Sequence, residues 1–403
     1  MSSHSNEPSN SSSDPASMRG ADLVIRCLER EGVDTVFAYP GGASMEMHQA
    51  MRESSLRVIL PRHEQGGGFA AAGYARATGR VGVSMATSGP GATNLVTAIT
   101  DAHMDSVPTV FITGQVQQNF IGKNAFQETD IIGITRPITK HSYLVLDVRD
   151  IPKVIAEAFY IASHGRPGPV MIDLPKDVQQ ALCVPEFPQS VHLRSYHPPP
   201  PPTDEDVERV RRAVEASSRP CLYIGGGIIS SGAHEELRAF AETNRIPVVY
   251  TLNGIGAFRD EHELSMQWLG MHGSYAANYA ANECDLLICI GARFDDRVTG
   301  NVDTFAKGAT VVHVDVDPSE INKNKHADIG VVCNARDMLV RLNDKPLRGD
   351  WQAWVRQTQA WKKERPFSYR DNKLIQPQEV VEHLNTITSG SATVVTGVGQ
   401  HQI

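Results

Sequence analysis

From residue 19 onward, short apolar runs rich in β-branched residues alternate with helical patterns, and most runs end in glycine or proline. This alternation constrains the fold more tightly than any other feature of the chain. Strands separated by helices pair in parallel, because the crossover brings each new strand back to the same edge of the sheet. Residues 21–30 read as a helix with Leu23, Cys27 and Leu28 on one face. Residues 35–39 read as a strand closed by Pro40-Gly41-Gly42, with a helix from about Ser44. A buried strand over 56–60, a helix over 69–78, a strand over 81–87 and a helix opened by the turn 88–94 come next. A strand over 109–113, an irregular loop over 114–130, a helix over 152–163 and a strand over 170–174 follow, closed by Pro175-Lys176-Asp177. The pattern predicts α/β architecture with a doubly wound, mostly parallel sheet.

Residues 198–202 are five consecutive prolines. Such a run is stiff, extended and free of backbone donors, so it predicts a linker. The first domain is therefore expected over 19–190 and the linker over 191–203. The alternation then resumes. A helix over 204–216, a strand over 221–224 running into Gly225-Gly226-Gly227, a helix over 233–244 and strands over 247–252, 285–290 and 310–316 predict a second, Rossmann-like sheet within 204–345. Beyond 346 the pattern weakens. Trp351, Trp354 and Trp361 lie on a helical, linker-like segment, residues 377–387 read as a helix, and 393–396 as one strand. One helix and one parallel strand cannot cover a sheet on both faces. The expectation for 346–403 is a linker and the start of a third α/β domain, the chain reading as incomplete. Residues 1–18, rich in Ser and Asn, read as a disordered tail.

Composition narrows the partners. The apolar fraction is 41%, the charged fraction 21% and the formal net charge −8, with no Lys/Arg-rich tract. That argues against nucleic acid or an anionic membrane surface. No apolar run approaches the roughly 18 residues of a membrane span. Six cysteines form no Cys-x-x-Cys pair, and Cys221 and Cys289 sit inside strand-like runs. Reduced thiols are expected, which suits the cytoplasm, as does the absence of Arg enrichment in the tail.

The chemistry concentrates where strands end. Three glycine-bearing strand ends fall in the first domain: Pro40-Gly41-Gly42, Glu64-Gln65-Gly66 and Gly89-Pro90-Gly91. In one parallel sheet they share an edge, the edge at which ligands bind. Glu64 is either an acid capping the next helix or a half-desolvated carboxylate that handles protons. In the second domain, Gly225-Gly226-Gly227 permits close approach of a ligand but departs from Gly-x-Gly-x-x-Gly. Arg293 and Arg297 in Gly291-Ala292-Arg293-Phe294-Asp295-Asp296-Arg297 either grip a phosphate or carboxylate or pair with Asp295 and Asp296 on the surface. His272 has no partner at metal-ligand spacing. Serine-hydrolase elbows, zinc-protease helices and P-loops are absent from the sequence.

Taken together, Tyr39-Pro40-Gly41-Gly42-Ala43, Arg62-His63-Glu64-Gln65-Gly66, the turn 88–94, Ala125-Phe126-Gln127-Glu128, Asp173-Leu174-Pro175-Lys176-Asp177, residues 269–273 and Gly291 through Gly300 resemble the acetolactate synthase (acetohydroxyacid synthase) large subunits, a family of thiamine-diphosphate enzymes. The resemblance runs from about residue 19 to the end. It implies a thiamine-pyrimidine domain followed by an FAD-binding domain. Glu64 is implied to promote loss of the cofactor's C2 proton. Pyruvate is then decarboxylated, and its hydroxyethyl unit passes to a second 2-oxoacid, pyruvate or 2-oxobutanoate, in branched-chain amino-acid biosynthesis.

The resemblance also assigns residues. Tyr39, Pro40, Gly41, Gly42, Thr87, Pro90, Gly91 and Asn94 would line the thiamine. Gln127, Lys176 and Arg297 would face the substrate. Arg166, Gly225, Gly226, Gly227, Thr251, Leu252, Leu269, Gly270, Met271, His272, Gly291, Arg293, Asp295, Arg297, Val298, Asp315 and Val316 would contact FAD, a structural cofactor here because the net reaction moves no electrons. A homodimer or higher homo-oligomer and a regulatory small subunit are implied partners. Magnesium is implied too, with its ligands on a Gly-Asp-Gly motif of a third domain that these residues do not contain, so the chain alone is expected to be inactive. Three departures stand out: Gln117-Gln118 after Gly114-Gln115-Val116, Phe69-Ala70-Ala71-Ala72 beside Glu64, and Thr396-Gly397-Val398. The alternatives are a non-catalytic, FAD-binding, dimerising paralogue and a different thiamine carboligase.

Overall fold

The computed structural model describes residues 17–369, 374–397 and 399. The predicted N-terminal tail lies almost wholly outside them, as does Val398. The chain divides into two compact units, Met1–Pro198 and Pro199–Ile403.

The first unit is built on six strands: β1 Thr35–Ala38, β2 Arg57–Ile59, β3 Gly82–Ala86, β4 Thr109–Gln115, β5 His141–Leu144 and β6 Pro169–Pro175. They pair in parallel in the order β2-β1-β3-β4-β6-β5. The two longest strands, β4 and β6, pair over seven residues and are buried throughout. Strands buried on both faces need apolar side chains on both. Val110 and Ile112 accordingly join a core with Leu23, Ile155 and Ile172, whereas Phe111 points the other way to Leu95, Ile99 and Met171. A two-residue antiparallel pair, Met18–Arg19 with Leu182–Cys183, ties the two ends of this unit together.

Two expectations in this unit need correction. The strand before Glu64 is not buried: β2 is an edge strand, with Val58 and the following Leu60 exposed. The next helix begins at Glu64, not at residue 69, and runs to Thr78. Three glycines disfavour helix by about 1 kcal/mol each, but Gly68 packs on Ala98, where a Cβ would come within 2.5 Å of Ala98 Cβ. Tertiary packing overrides the local preference.

The second unit carries β7 Pro220–Ile224, β8 Val248–Tyr250, β9 Ser265–Trp268, β10 Leu286–Ile290, β11 Thr310–Asp315 and β12 Ile329–Val332. Their parallel order is β9-β8-β7-β10-β11-β12, the doubly wound order in which the chain reverses direction beside the first strand. The helix Gln352–Glu364 is docked, not linker-like. Trp351 and Trp354 are buried in its two cores, and their indole N–H groups donate to Ser217 O at 3.0 Å and Pro220 O at 2.9 Å. Each such ring removes roughly 150–250 Å² from water, which holds this segment to the sheet. The helix Pro377–Thr388 forms as predicted but has no buried residue. Residues 393–396 form no strand: Val394 and Val395 are exposed, and among the described residues no strand pairs with them. Among the described residues, no helix is long and apolar enough to cross a membrane.

Candidate active site

All strands of the first sheet point their C-terminal ends to one edge. The chain reverses direction between β1 and β3, and such a switch point opens a crevice outside the strand ends. Tyr39, Pro40, Gly41 and Gly42 leave β1 there. Glu64 follows β2, Thr87 to Asn94 leave β3, Gln127 lies in the loop after β4, and Lys176 is the first residue after β6. The backbone N–H of Tyr39 donates to Met85 O at 3.0 Å, stitching the two strand ends beside the crevice.

The two readings of Glu64 separate here. The helix is capped by His63, whose Nδ1 accepts from Gln65 N at 3.1 Å. Glu64 is the first helical residue, half-buried, and its carboxylate reaches away from the helix end. Oε2 accepts from Asn94 Nδ2 at 2.9 Å. Oε1 faces Gly91, where a Cβ would sit 3.4 Å from it. Asn94 therefore fixes one oxygen of the carboxylate and leaves the other over a glycine.

Thr87 organises the glycines. Its Oγ1 accepts from Ala43 N at 3.1 Å, anchoring the loop after β1. A Cβ on Gly41 would come within 2.5 Å of Thr87 Cβ, and one on Gly91 within 2.7 Å of Thr87 Cγ2. These glycines are thus required by a buried neighbour, whatever else they meet. Gln127 joins the group through its backbone, since a Cβ on Gly89 would lie 2.5 Å from the Gln127 carbonyl oxygen. Lys176 is tied in indirectly: Gln179, three residues on, donates from Nε2 to Ala43 O at 2.7 Å.

Sequence reasoning quoted Asp173 only as part of a motif. It is a fully buried acid on β6, bonded to Thr113 Oγ1 at 2.7 Å and Gln115 Nε2 at 2.8 Å. Burial pushes its carboxyl up to about 7, against the pull of those two donors and with the help of nearby Asp130. An acid inside an apolar run was the available signal.

The second unit gathers its candidates in the same way. Gly225, Gly226 and Gly227 end β7, Thr251 and Leu252 end β8, Leu269 to His272 end β9, Gly291 to Val298 end β10, and Asp315 and Val316 end β11. Two of the three glycines after β7 are already engaged. Gly227 N donates to Gly291 O at 2.9 Å, and a Cβ on Gly227 would come within 2.5 Å of Gly291 Cα. Gly291 itself has φ +59, a conformation glycine adopts without strain. Met271 N donates to Arg297 O at 2.9 Å, joining the loops after β9 and β10. His313, buried on β11, meets Ala292 O through Nε2 at 3.0 Å, and burial lowers its pKa.

The charged run after β10 divides. Asp295 Oδ1 caps its short helix by accepting Arg297 N at 3.0 Å. Asp296 and Arg297 are both largely exposed and 3.9 Å apart, a weak surface pair. Arg293 is half-buried at the crevice between β7 and β10. Arg166 stands apart from the other first-unit candidates: it precedes β6, at the N-terminal edge of its sheet, and donates to Ser106 Oγ at 2.8 Å.

Comparison with known proteins gives two domain matches. Residues 18–134 match the N-terminal TPP binding domain of thiamine pyrophosphate enzymes, and residues 207–342 match their central domain. Over 395 residues, 96% of this chain, it is 49% identical to acetolactate synthase, chloroplastic, of Arabidopsis thaliana, covering 59% of that protein. It is 52% identical to acetolactate synthase 1, chloroplastic, of Oryza sativa subsp. japonica, covering 61%. It is 51% identical to acetolactate synthase 2, chloroplastic, of Nicotiana tabacum, covering 59%. The chain thus spans about three-fifths of the length of these relatives.

Proposed function

This chain belongs to the thiamine pyrophosphate enzymes and is a homologue of the acetolactate synthases, and on that premise we propose that it works in acetolactate formation from pyruvate. The observation that carries the reading is Glu64: half-buried at a sheet switch point, held by Asn94 on one oxygen and facing Gly91 with the other. That arrangement fits the pyrimidine half of thiamine diphosphate, because an acceptor oxygen beside a glycine leaves room for a flat ring. Bound there, the cofactor supplies a carbon nucleophile for decarboxylating a 2-oxoacid. With the cofactor bound, Glu64 would exchange a proton with it at Oε1. Asn94 fixes the carboxylate's orientation, and Thr87 fixes the loops that wall the site. Gln127 and Lys176 face the substrate from the same sheet edge. Arg297, a largely exposed cation beside Asp296, is assigned by the resemblance to a substrate carboxylate.

The strand-end row of the second unit is proposed to hold FAD, with Arg293, half-buried after β10, as its candidate cation. Among the described residues, no group of three or more His, Cys, Asp or Glu stands together for a metal, and none of them is assigned to magnesium. A homo-oligomer, a regulatory small subunit and a 2-oxoacid pair as substrates belong to the same proposal. So does a cytoplasmic location, which rests on six unpaired cysteines; the similar plant proteins are named chloroplastic.

The test is acetolactate formation from pyruvate with thiamine diphosphate, Mg²⁺ and FAD supplied, comparing the full-length protein that carries these residues with its Glu64→Gln variant. Loss of a proton-handling group costs about 10²–10⁴ in rate. Turnover that survives the substitution would reduce Glu64 to a structural residue and remove the reading.

A further inference from the structure

Asp173 lies in the middle of the otherwise apolar strand Pro169–Pro175 and is 1% exposed. Its oxygens are divided between two donors of the neighbouring strand β4: Oδ1 accepts from Thr113 Oγ1 at 2.7 Å, and Oδ2 from Gln115 Nε2 at 2.8 Å. A buried carboxylate persists only where donors meet its lone pairs.

Gln115 is the last residue of β4, and its amide reaches further. Nε2 also donates to Thr129 O at 3.0 Å, while Oε1 accepts from Val116 N at 2.8 Å. One side chain therefore gathers both ends of the loop 116–129 and hands the load to Asp173. The same strand end supplies a second clasp, because Asp177 Oδ1 accepts from Gln118 N at 3.1 Å. Glu128 closes the loop's interior, accepting from Gly122 N and from Ala125 N at 2.9 Å. Between these anchors Gln127 is held at φ +57, with its carbonyl against Gly89. A residue with a side chain keeps that conformation only where its surroundings impose it.

We propose that Asp173 is a positioning residue: through Gln115 and Thr129, its carboxylate fixes the loop that presents Gln127 beside Gly89, at the sheet edge that Glu64 also follows. The proposal rests on the reading of Gln127 as a substrate-side residue. Asparagine at 173 would keep the volume but leave one oxygen; its Nδ2 either opposes Gln115 Nε2 or donates to the Thr113 hydroxyl, so Gln115 loses its acceptor or exchanges a charged one for a weaker neutral one, and the tether to Thr129 loosens.

Hydrogen exchange read by mass spectrometry on the full chain tests the first link, with Asp173→Asn and Gln115→Met as independent variants. Peptides covering 116–129 are expected to exchange about tenfold faster, with β3 and the body of β4 unchanged. Steady-state turnover tests the second link. The pyruvate KM is expected to rise about tenfold while half-saturation by thiamine diphosphate stays the same, a split that a general loss of folding would not give. Wild-type exchange across 116–129 in both variants overturns the proposal. A loosened loop with an unchanged KM overturns the positioning role. If the unsubstituted full-length protein that carries these residues does not turn over pyruvate, the functional reading fails, and the exchange result still decides whether Asp173 holds the loop.

Discussion

Asn94 donates from Nδ2 to Glu64 Oε2 at 2.9 Å, across 30 residues of sequence. The bond joins the segment leaving β3 to the helix leaving β2 and sets the plane of the carboxylate. Asn94→Ala removes the donor without adding charge. Turnover of pyruvate is expected to fall about tenfold, with the thermal midpoint shifting by no more than a hydrogen bond's roughly 1 kcal/mol allows. Unchanged turnover would mean that Glu64 needs no orienting partner.

Thr87 sets the space available to its glycines. Gly91→Ala would place a Cβ within 2.7 Å of Thr87 Cγ2. The crowding is expected to cost about 1–3 kcal/mol in denaturant unfolding. Thr87→Ser deletes that methyl but keeps the hydroxyl that accepts from Ala43 N. In the double variant the two costs should not add, and a coupling of about 1 kcal/mol or more is expected from a double-mutant cycle. Additive costs would show that the clash lies elsewhere.

Asp173 makes stability depend on pH in a defined window. Burial raises its folded-state value to about 7, above the ordinary carboxylate value of an unfolded chain. Between about pH 4 and 7 the folded protein therefore binds more protons than the unfolded chain, and this group's contribution falls as pH rises, by up to about 4 kcal/mol. Asp173→Asn removes that slope. The difference in thermal midpoint, wild type minus variant, should shrink as pH rises from about 4 to 7 and stay level above it. A flat difference across the window would place the Asp173 proton elsewhere.

In the second unit, Gly227 and Gly291 meet backbone to backbone. Gly227→Ala puts a Cβ within 2.5 Å of Gly291 Cα, and no side chain can move aside to accept it. A loss of about 1–3 kcal/mol is expected on unfolding, together with reduced FAD retention through gel filtration, read by flavin absorbance. Full retention would separate the glycine pair from the flavin site.

The sequence revealed the centres of both sheets. Strands such as Leu286–Ile290 are buried on both faces and therefore read as unbroken apolar runs. His141–Leu144 and Ser265–Trp268 escape notice because they lie at sheet edges and mix polar with apolar positions, and Ile329–Val332, also at an edge, is a four-residue run interrupted by Gly330. The strand ends, and with them Glu64, Thr87 and the glycines, were legible because glycine and proline punctuate them. What Glu64 does with its oxygens was not, since Asn94 is distant in sequence. Asp173 was hidden for the same reason: its partners Thr113 and Gln115 lie 60 and 58 residues away. The terminal run 393–396 shows the converse, an apolar segment whose pattern suits a strand and which joins no sheet among the described residues.

The docking of Trp351 and Trp354 on the second sheet has a spectroscopic consequence. The four tryptophans are Trp268, Trp351, Trp354 and Trp361, and none lies before residue 199. Indole emission is thus a private reporter of the second unit, while the unit that carries Glu64 is observed only through its tyrosines and its backbone dichroism. Following both signals through one urea titration resolves whether the two halves melt together, and a single emission trace would mistake the stability of one half for that of the whole.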